Sequence, residues 1–201
     1  MRSNQDSSDS STRGDTSNVH CRRFWLPRGV EPDLSDGGFL VDPEWVFKHF
    51  LPTSTTPFHS LPESPVLALL GEPGIGKSTA LEYEARQIEA GGHSNRARVL
   101  RVDLAACGTD LMVLKRIFQC REFKSWRKSS ATLHLFVDGL DTCLQYVETL
   151  VALLLEGLNQ EPRDRLKLRI ACRTAEWPED LEAGLRSLWG NERVDVPSVP
   201  T

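Results

Sequence analysis

Eight consecutive residues, Gly71-Glu72-Pro73-Gly74-Ile75-Gly76-Lys77-Ser78, restrict this chain more than any other stretch. They match G-x-x-x-x-G-K-[ST] at every fixed position, the pattern of a loop whose backbone N–H groups cradle phosphate. The flanks agree with that reading. An apolar run at 66–70 precedes the loop, and residues 79–85 read as helix after it. The glycines let successive N–H groups curl into an anion-binding nest, and the helix aims its positive end at the same point. Pro73 fixes one φ inside the loop. Lys77 is placed to reach the β- and γ-phosphates, and the Ser78 hydroxyl to hold Mg²⁺. Gly71, Glu72, Pro73, Gly74, Ile75, Gly76, Lys77, Ser78 and Thr79 are therefore the expected nucleotide-binding residues. The competing reading is a glycine-rich turn that only joins a strand to a helix.

From residue 66 onward the pattern alternates. Strands are expected at 66–70, at 98–104, at 132–137 ending on Asp138, at 166–172, and as a short last strand around Val194 and Val196. Helices are expected at 78–90, stopped by Gly91-Gly92; at 111–118, capped by Asp110; at 143–159; and from Pro178 through Leu188. Strands separated by helices require parallel crossovers. The expected fold is an α/β three-layer sandwich of P-loop NTPase type, with a mostly parallel sheet of about five strands.

An irregular N-terminal extension precedes that domain. Residues 1–20 are polar and cannot bury enough surface to offset their ordering entropy, so a disordered tail is expected there. Residues 21–65 form the extension, with a basic-aromatic stretch at Cys21–Arg28, a turn at Asp36-Gly37-Gly38, a helical turn or two at 44–50, and prolines at 52, 57, 62 and 65. It either packs its aromatics on the next domain or covers the nucleotide base. Residues 66–201 are the expected P-loop NTPase domain.

Charge and cysteine content narrow the partners. The formal net charge of −4 gives no global basic field, so neither nucleic acid nor a membrane surface is expected as a partner. No apolar run approaches the ~20 residues that span a bilayer. The five cysteines form no C-x-x-C and no metal-spaced cluster, which fits reduced thiols in the cytoplasm.

Two further groups sit where ligands bind in such sheets, outside the carboxyl ends of the strands. Asp138 ends the third strand and is the candidate second Mg²⁺ ligand beside Ser78. Asp141 follows in Asp138-Gly139-Leu140-Asp141-Thr142, either to orient the attacking water or to cap the next helix. Arg173 closes the fourth strand, where a guanidinium can contact the γ-phosphate. Its bland alternative is a surface salt bridge. Asp141 and Arg173 are the candidate catalytic residues. No Asn/Thr-Lys-x-Asp guanine-reading motif occurs, so ATP and ADP are the expected nucleotides, with Mg²⁺.

The loop 71–78, the run Leu135-Phe136-Val137-Asp138-Gly139-Leu140-Asp141 and the Arg173 strand end together resemble the NACHT-type branch of the STAND signal-transduction NTPases. The stretches 23–28 and 34–40 look like the lead-in of large bacterial NACHT-like proteins. The resemblance covers about residues 21–197. It implies an ATP-driven switch, ADP-bound at rest, that self-associates through the NTPase domain; several bacterial relatives act in defence against phage. The family has Glu after the second Asp of that run, where this chain has Thr142, and slow hydrolysis is expected for that reason. The family continues with a helical lid, a winged-helix domain and sensor repeats, and this sequence ends at Thr201, so a fragment or a truncated product is expected. Two other functions fit the residues: a nucleotide-binding module without turnover, and a small P-loop kinase, whose lid arginines would have to be Arg163, Arg165 and Arg169.

Overall fold

The computed structural model describes residues 24–27, 56–57, 64–91 and 96–198. The expected tail at 1–20 and helical turn at 44–50 lie outside these residues. In chain order the elements are β1 (Phe24–Pro27), β2 (Thr56–Pro57), β3 (Val66–Leu70), α1 (Lys77–Ala90), β4 (Ala97–Asp103), α2 (Asp110–Ile117), α3 (Arg121–Arg127), β5 (Thr132–Asp138), α4 (Leu140–Leu144), α5 (Leu150–Asn159), β6 (Leu166–Cys172), α6 (Glu179–Trp189), β7 (Val194–Asp195) and β8 (Pro197–Ser198).

They form one sheet in the order β2-β1-β8-β3-β6-β5-β4, with β7 also paired to β3. β3, β6, β5 and β4 run parallel, and β7 and β8 join β3 in the same direction. β1 pairs antiparallel with both β8 and β2, so part of the N-terminal extension adds strands to the sheet edge. All five residues of β3 are fully buried, as a strand covered on both faces requires.

Strand alternation sorts the side chains into two layers of core. Val66, Ala68 and Leu70 of β3, Leu133, Leu135 and Val137 of β5, and Leu168 and Ile170 of β6 face the large cluster, where α2 to α6 supply Val113, Phe123, Trp126, Leu140, Leu154, Leu181 and others. Leu67, Leu69, Phe136 and Ala171 face the opposite way and pack on Ala80, Leu81 and Ala85 of α1. The result is α1, sheet, and α2–α6: the expected three-layer α/β sandwich with a mostly parallel sheet.

Several local expectations are revised. Thr109, not Asp110, is the N-cap of α2, and its side chain accepts from the Met112 N–H. The helix expected at 143–159 is two helices, broken at 145–149 by a turn in which the N–H groups of Tyr146 and Val147 bond back to Cys143. Val147 in the turn and Leu150 at the start of α5 both lie in the core. α3, which the spacing did not announce, packs Phe123 and Trp126 beneath β4 and β5, with Cys120 as its cap.

Candidate functional site

The glycine loop leaves the carboxyl end of β3 and opens α1. Gly74 and Gly76 take φ of 83° and 91°, values at which a side chain is strained, and Gly76 is the left-handed N-cap of α1 with no side chain to cover the helix end. The first turn of α1 therefore presents its N–H groups to whatever lies in the loop. Lys77 is the first helical residue. Its ammonium donates to the carbonyls of Gly71 at 2.7 Å and Glu72 at 3.0 Å, folding the side chain across the loop it follows. Burial lowers the Lys77 pKa, and the carboxylates of Asp141, Asp138 and Glu72 oppose that shift. The Lys77 ammonium is thus partly desolvated and lies in the field of carboxylates from the loop, the end of β5 and α4.

The strand order decides what surrounds it. β6 lies between β3 and β5, so the end of β6 stands between the loop and Asp138. Alternation then places His134, Phe136 and Asp138 of β5, and Arg169 and Ala171 of β6, on the α1 face. Arg173 follows β6 with extended backbone (φ −72°, ψ 144°), which keeps it on that face. The carboxylate of Asp138 accepts from its own neighbour, Gly139 N–H, at 2.8 Å. Gly139 takes φ of 68°, and a Cβ there would lie 2.6 Å from Ala105 N and 2.9 Å from Asp103 Oδ1, so only glycine fits this turn.

Ser78 and Asp138 line one cleft of about 170 Å³ between α1 and the sheet, together with Glu82, Arg101, Asp103 and Phe136. None of residues 71–77 lines it, so it is a small cleft beside the glycine loop rather than the hollow of the loop itself. Among the described residues no group of three or more His, Cys, Asp or Glu forms a metal cage. One hydroxyl and one carboxylate are nonetheless hard oxygen donors of the kind Mg²⁺ takes, with water and phosphate oxygens completing its octahedron. The residues fit that ion.

Asp141 and Arg173 are brought together directly. Arg173 Nε lies 2.7 Å from Asp141 Oδ2, with 41% and 14% of the two side chains exposed. Asp141 is not the N-cap of α4; Gly139 holds that position, and Asp141 stands in the first turn. Sequence reasoning missed Asp103, which is paired in register with Asp138 at the end of the adjacent strand. The signal was present, since Asp103 closes an apolar strand just as Asp138 does. It also missed Glu176, 4.0 Å from Arg173 Nη1. The expected kinase-lid arginines are placed elsewhere. Arg163 donates to Asn159, and Arg165 bonds Ser129 O and Ala131 O and lies over the Trp126 ring, both ahead of β6 and so at the opposite end of the sheet from the loop. Arg169 is fully buried against Glu84 of α1.

No family model matches the chain, and no curated protein matches its sequence. Solved structures are similar at low identity. The ORC2 protein of Aeropyrum pernix, in ADPNP–ADP complexes, aligns at 13% identity over 68% of this chain and 41% of that one, with a TM-score of 0.42. PCH-2 of C. elegans aligns at 17% over 68% and 36%, with a TM-score of 0.45. Domain III of the Thermotoga maritima replication initiation protein DnaA aligns at 16% over 72% and 59%, with a TM-score of 0.45. The chain thus spans less than two thirds of each of these proteins.

Proposed function

We propose that this chain binds ATP and ADP with Mg²⁺ at residues 71–79 and serves as the slowly hydrolysing NTPase core of a STAND-type switch. One observation carries the reading: the left-handed glycines of the loop, the open first turn of α1 and the folded-back Lys77 converge beside two strand ends that bear Asp138 and Arg173. The loop N–H groups and Lys77 hold the β- and γ-phosphates. Ser78 and Asp138 hold Mg²⁺, which supplies charge neutralisation on the phosphates. Asp141 orients the attacking water, and Arg173 meets charge that develops on the γ-phosphate. Two features support slow turnover. Thr142 brings a hydroxyl where a carboxylate base is wanted. Asp141 and Arg173 are occupied with each other, so both must rearrange before either acts.

That ion pair also favours the second reading, nucleotide binding without turnover. A kinase is disfavoured because Arg163, Arg165 and Arg169 are spent on structural contacts away from the loop. Self-association through this domain and a role in defence rest on the resemblance, and a cytoplasmic location rests on the cysteine pattern. The free thiols of Cys107, Cys120, Cys143 and Cys172 are compatible with that location. Among the described residues no helix is long and apolar enough to cross a membrane.

Calorimetry and phosphate release test the proposal together. Lys77→Ala should weaken nucleotide binding by about 1.5–3 kcal/mol, roughly tenfold to 150-fold. Unchanged affinity in the folded variant would remove the loop from the site. Phosphate release should stay far below the ~10 s⁻¹ median of enzymes. A rate near that median, independent of protein concentration and abolished by Asp141→Asn, would make the chain a self-sufficient ATPase instead.

A further inference from the structure

Arg173 stands between two carboxylates from different elements. Its Nε meets Asp141 Oδ2 of α4 at 2.7 Å, and its Nη1 lies 4.0 Å from Glu176 Oε1, in the helical turn Thr174–Glu176 that follows β6. The other Glu176 oxygen, Oε2, is buried and has no hydrogen-bond partner among the described residues. An orphaned carboxylate oxygen is costly to keep. Both carboxylates also act on Cys172, the residue before Arg173: burial first, and then Asp141 and Glu176, push its thiol up to about 12. Two negative groups thus converge on Arg173 at the end of β6.

We propose that Asp141 and Glu176 form a latch on Arg173, and that this latch sets how strongly the site prefers a nucleoside triphosphate to a diphosphate. The proposal rests on residues 71–79 being the nucleotide site. The two phosphates of a diphosphate fill the loop and engage Lys77. Only a third phosphate extends toward the ends of β5 and β6, where Arg173 waits. To take Arg173, that phosphate must draw it from both carboxylates, and the same exchange frees Asp141. Arrival of the triphosphate and release of Asp141 become one event. Glu176 touches no phosphate in this scheme; it is a positioning residue that acts through Arg173 and makes the cation harder to remove. A partly exposed ion pair is worth up to about fivefold in an equilibrium constant, so the latch tunes preference rather than forbidding binding.

The test is calorimetric titration of the purified chain with Mg-ADP and with Mg-ADPNP, whose terminal phosphate is not hydrolysed. Glu176→Gln should tighten ADPNP binding about twofold to fivefold and leave ADP unchanged. Arg173→Ala should weaken ADPNP about tenfold with ADP again unchanged. Glu176→Gln should have no effect in the Arg173→Ala background, whereas Arg173→Lys should keep part of it. Glu176→Ala provides a second removal of the carboxylate should the amide make new bonds. A shift of both nucleotides alike, or an effect of Glu176→Gln that survives in Arg173→Ala, overturns the latch. Wild-type binding of both nucleotides with a preference that Glu176→Gln leaves untouched overturns the latch alone. Wild-type binding of neither overturns the nucleotide reading and the latch with it.

Discussion

Arg169 lies within β6 and Arg173 just past its end, four residues on and on the same face, and each meets a carboxylate from a neighbouring helix. Arg169 is fully buried, with its Nε 2.8 Å from Glu84 of α1 and its Nη1 bonded to Ser64 O and Leu168 O. Arg173 is 41% exposed at the strand end and shares itself between Asp141 and Glu176. Depth along one strand separates a tie from a contact that can be exchanged. The inner pair joins α1 to the central strand and so fixes the helix whose first turn forms the loop. Having lost its water, it cannot open without leaving a naked charge. The outer pair keeps access to water, loses little when it opens, and can trade one anion for another.

Breaking the inner pair should have the largest effect. Arg169→Ala leaves Glu84 charged in the core, and we expect a loss of about 3–5 kcal/mol of stability in urea titrations. Arg169→Met combined with Glu84→Leu should recover most of it, because an apolar pair of similar volume removes the stranded charge. A loss no greater than that of Arg173→Ala would erase the distinction between the two arginines.

A pH effect sharpens the picture of the same inner region. His134, on the α1 face of β5, has its pKa lowered to about 4 by burial, with the charges of Lys167 and Arg169 adding to the shift. Its folded value lies below its ordinary 6.5, so the unfolded chain binds the proton more readily. The contribution to stability is fully present above about pH 6.5 and declines as pH falls toward 4. The loss amounts to at most about 3 kcal/mol. His134→Gln should flatten that part of the profile, and an unchanged profile would show that His134 is not held neutral by the fold.

The smallest expected effect belongs to the outer pair. Arg173→Ala should change unfolding stability by less than about 1 kcal/mol. A loss of several kcal/mol would make Arg173 a second structural tie and end its role as an exchangeable cation.

The legible part of this molecule was the part written locally. The loop, β3, β5 and β6 follow from apolar runs that stop at Gly71, Asp138 and Arg173, and α1 follows from the residues after Ser78. α3 was hidden because seven mostly charged residues carry only Phe123 and Trp126 as apolar markers. The turn at 145–149 was hidden because no Gly or Pro marks it and because Cys143, Val147, Leu150, Leu154 and Leu158, all buried, keep helical spacing across it. The Arg169–Glu84 pair joins residues 85 positions apart, and no local pattern announces it. Of the site, residue types and strand ends were readable, while the mutual occupation of Asp141 and Arg173 required the strand order.

That order has a kinetic side. β4, β5 and β6 pair with partners roughly 35 residues away, but β3 pairs with β6 across about a hundred residues and with β8 across still more. Short-range pairings close first, so β3 and its loop should lock last. Pulse-labelling hydrogen exchange during refolding should protect β4 and β5 amides before those of β3, and the reverse order would refute this. On the ribosome, at about 5–20 residues per second, the phosphate-binding motif emerges seconds before its strand neighbours exist. A nascent chain therefore carries β3, the apolar strand that leads into that motif, unpaired for that interval and exposed to whatever chaperone or neighbouring strand meets it first.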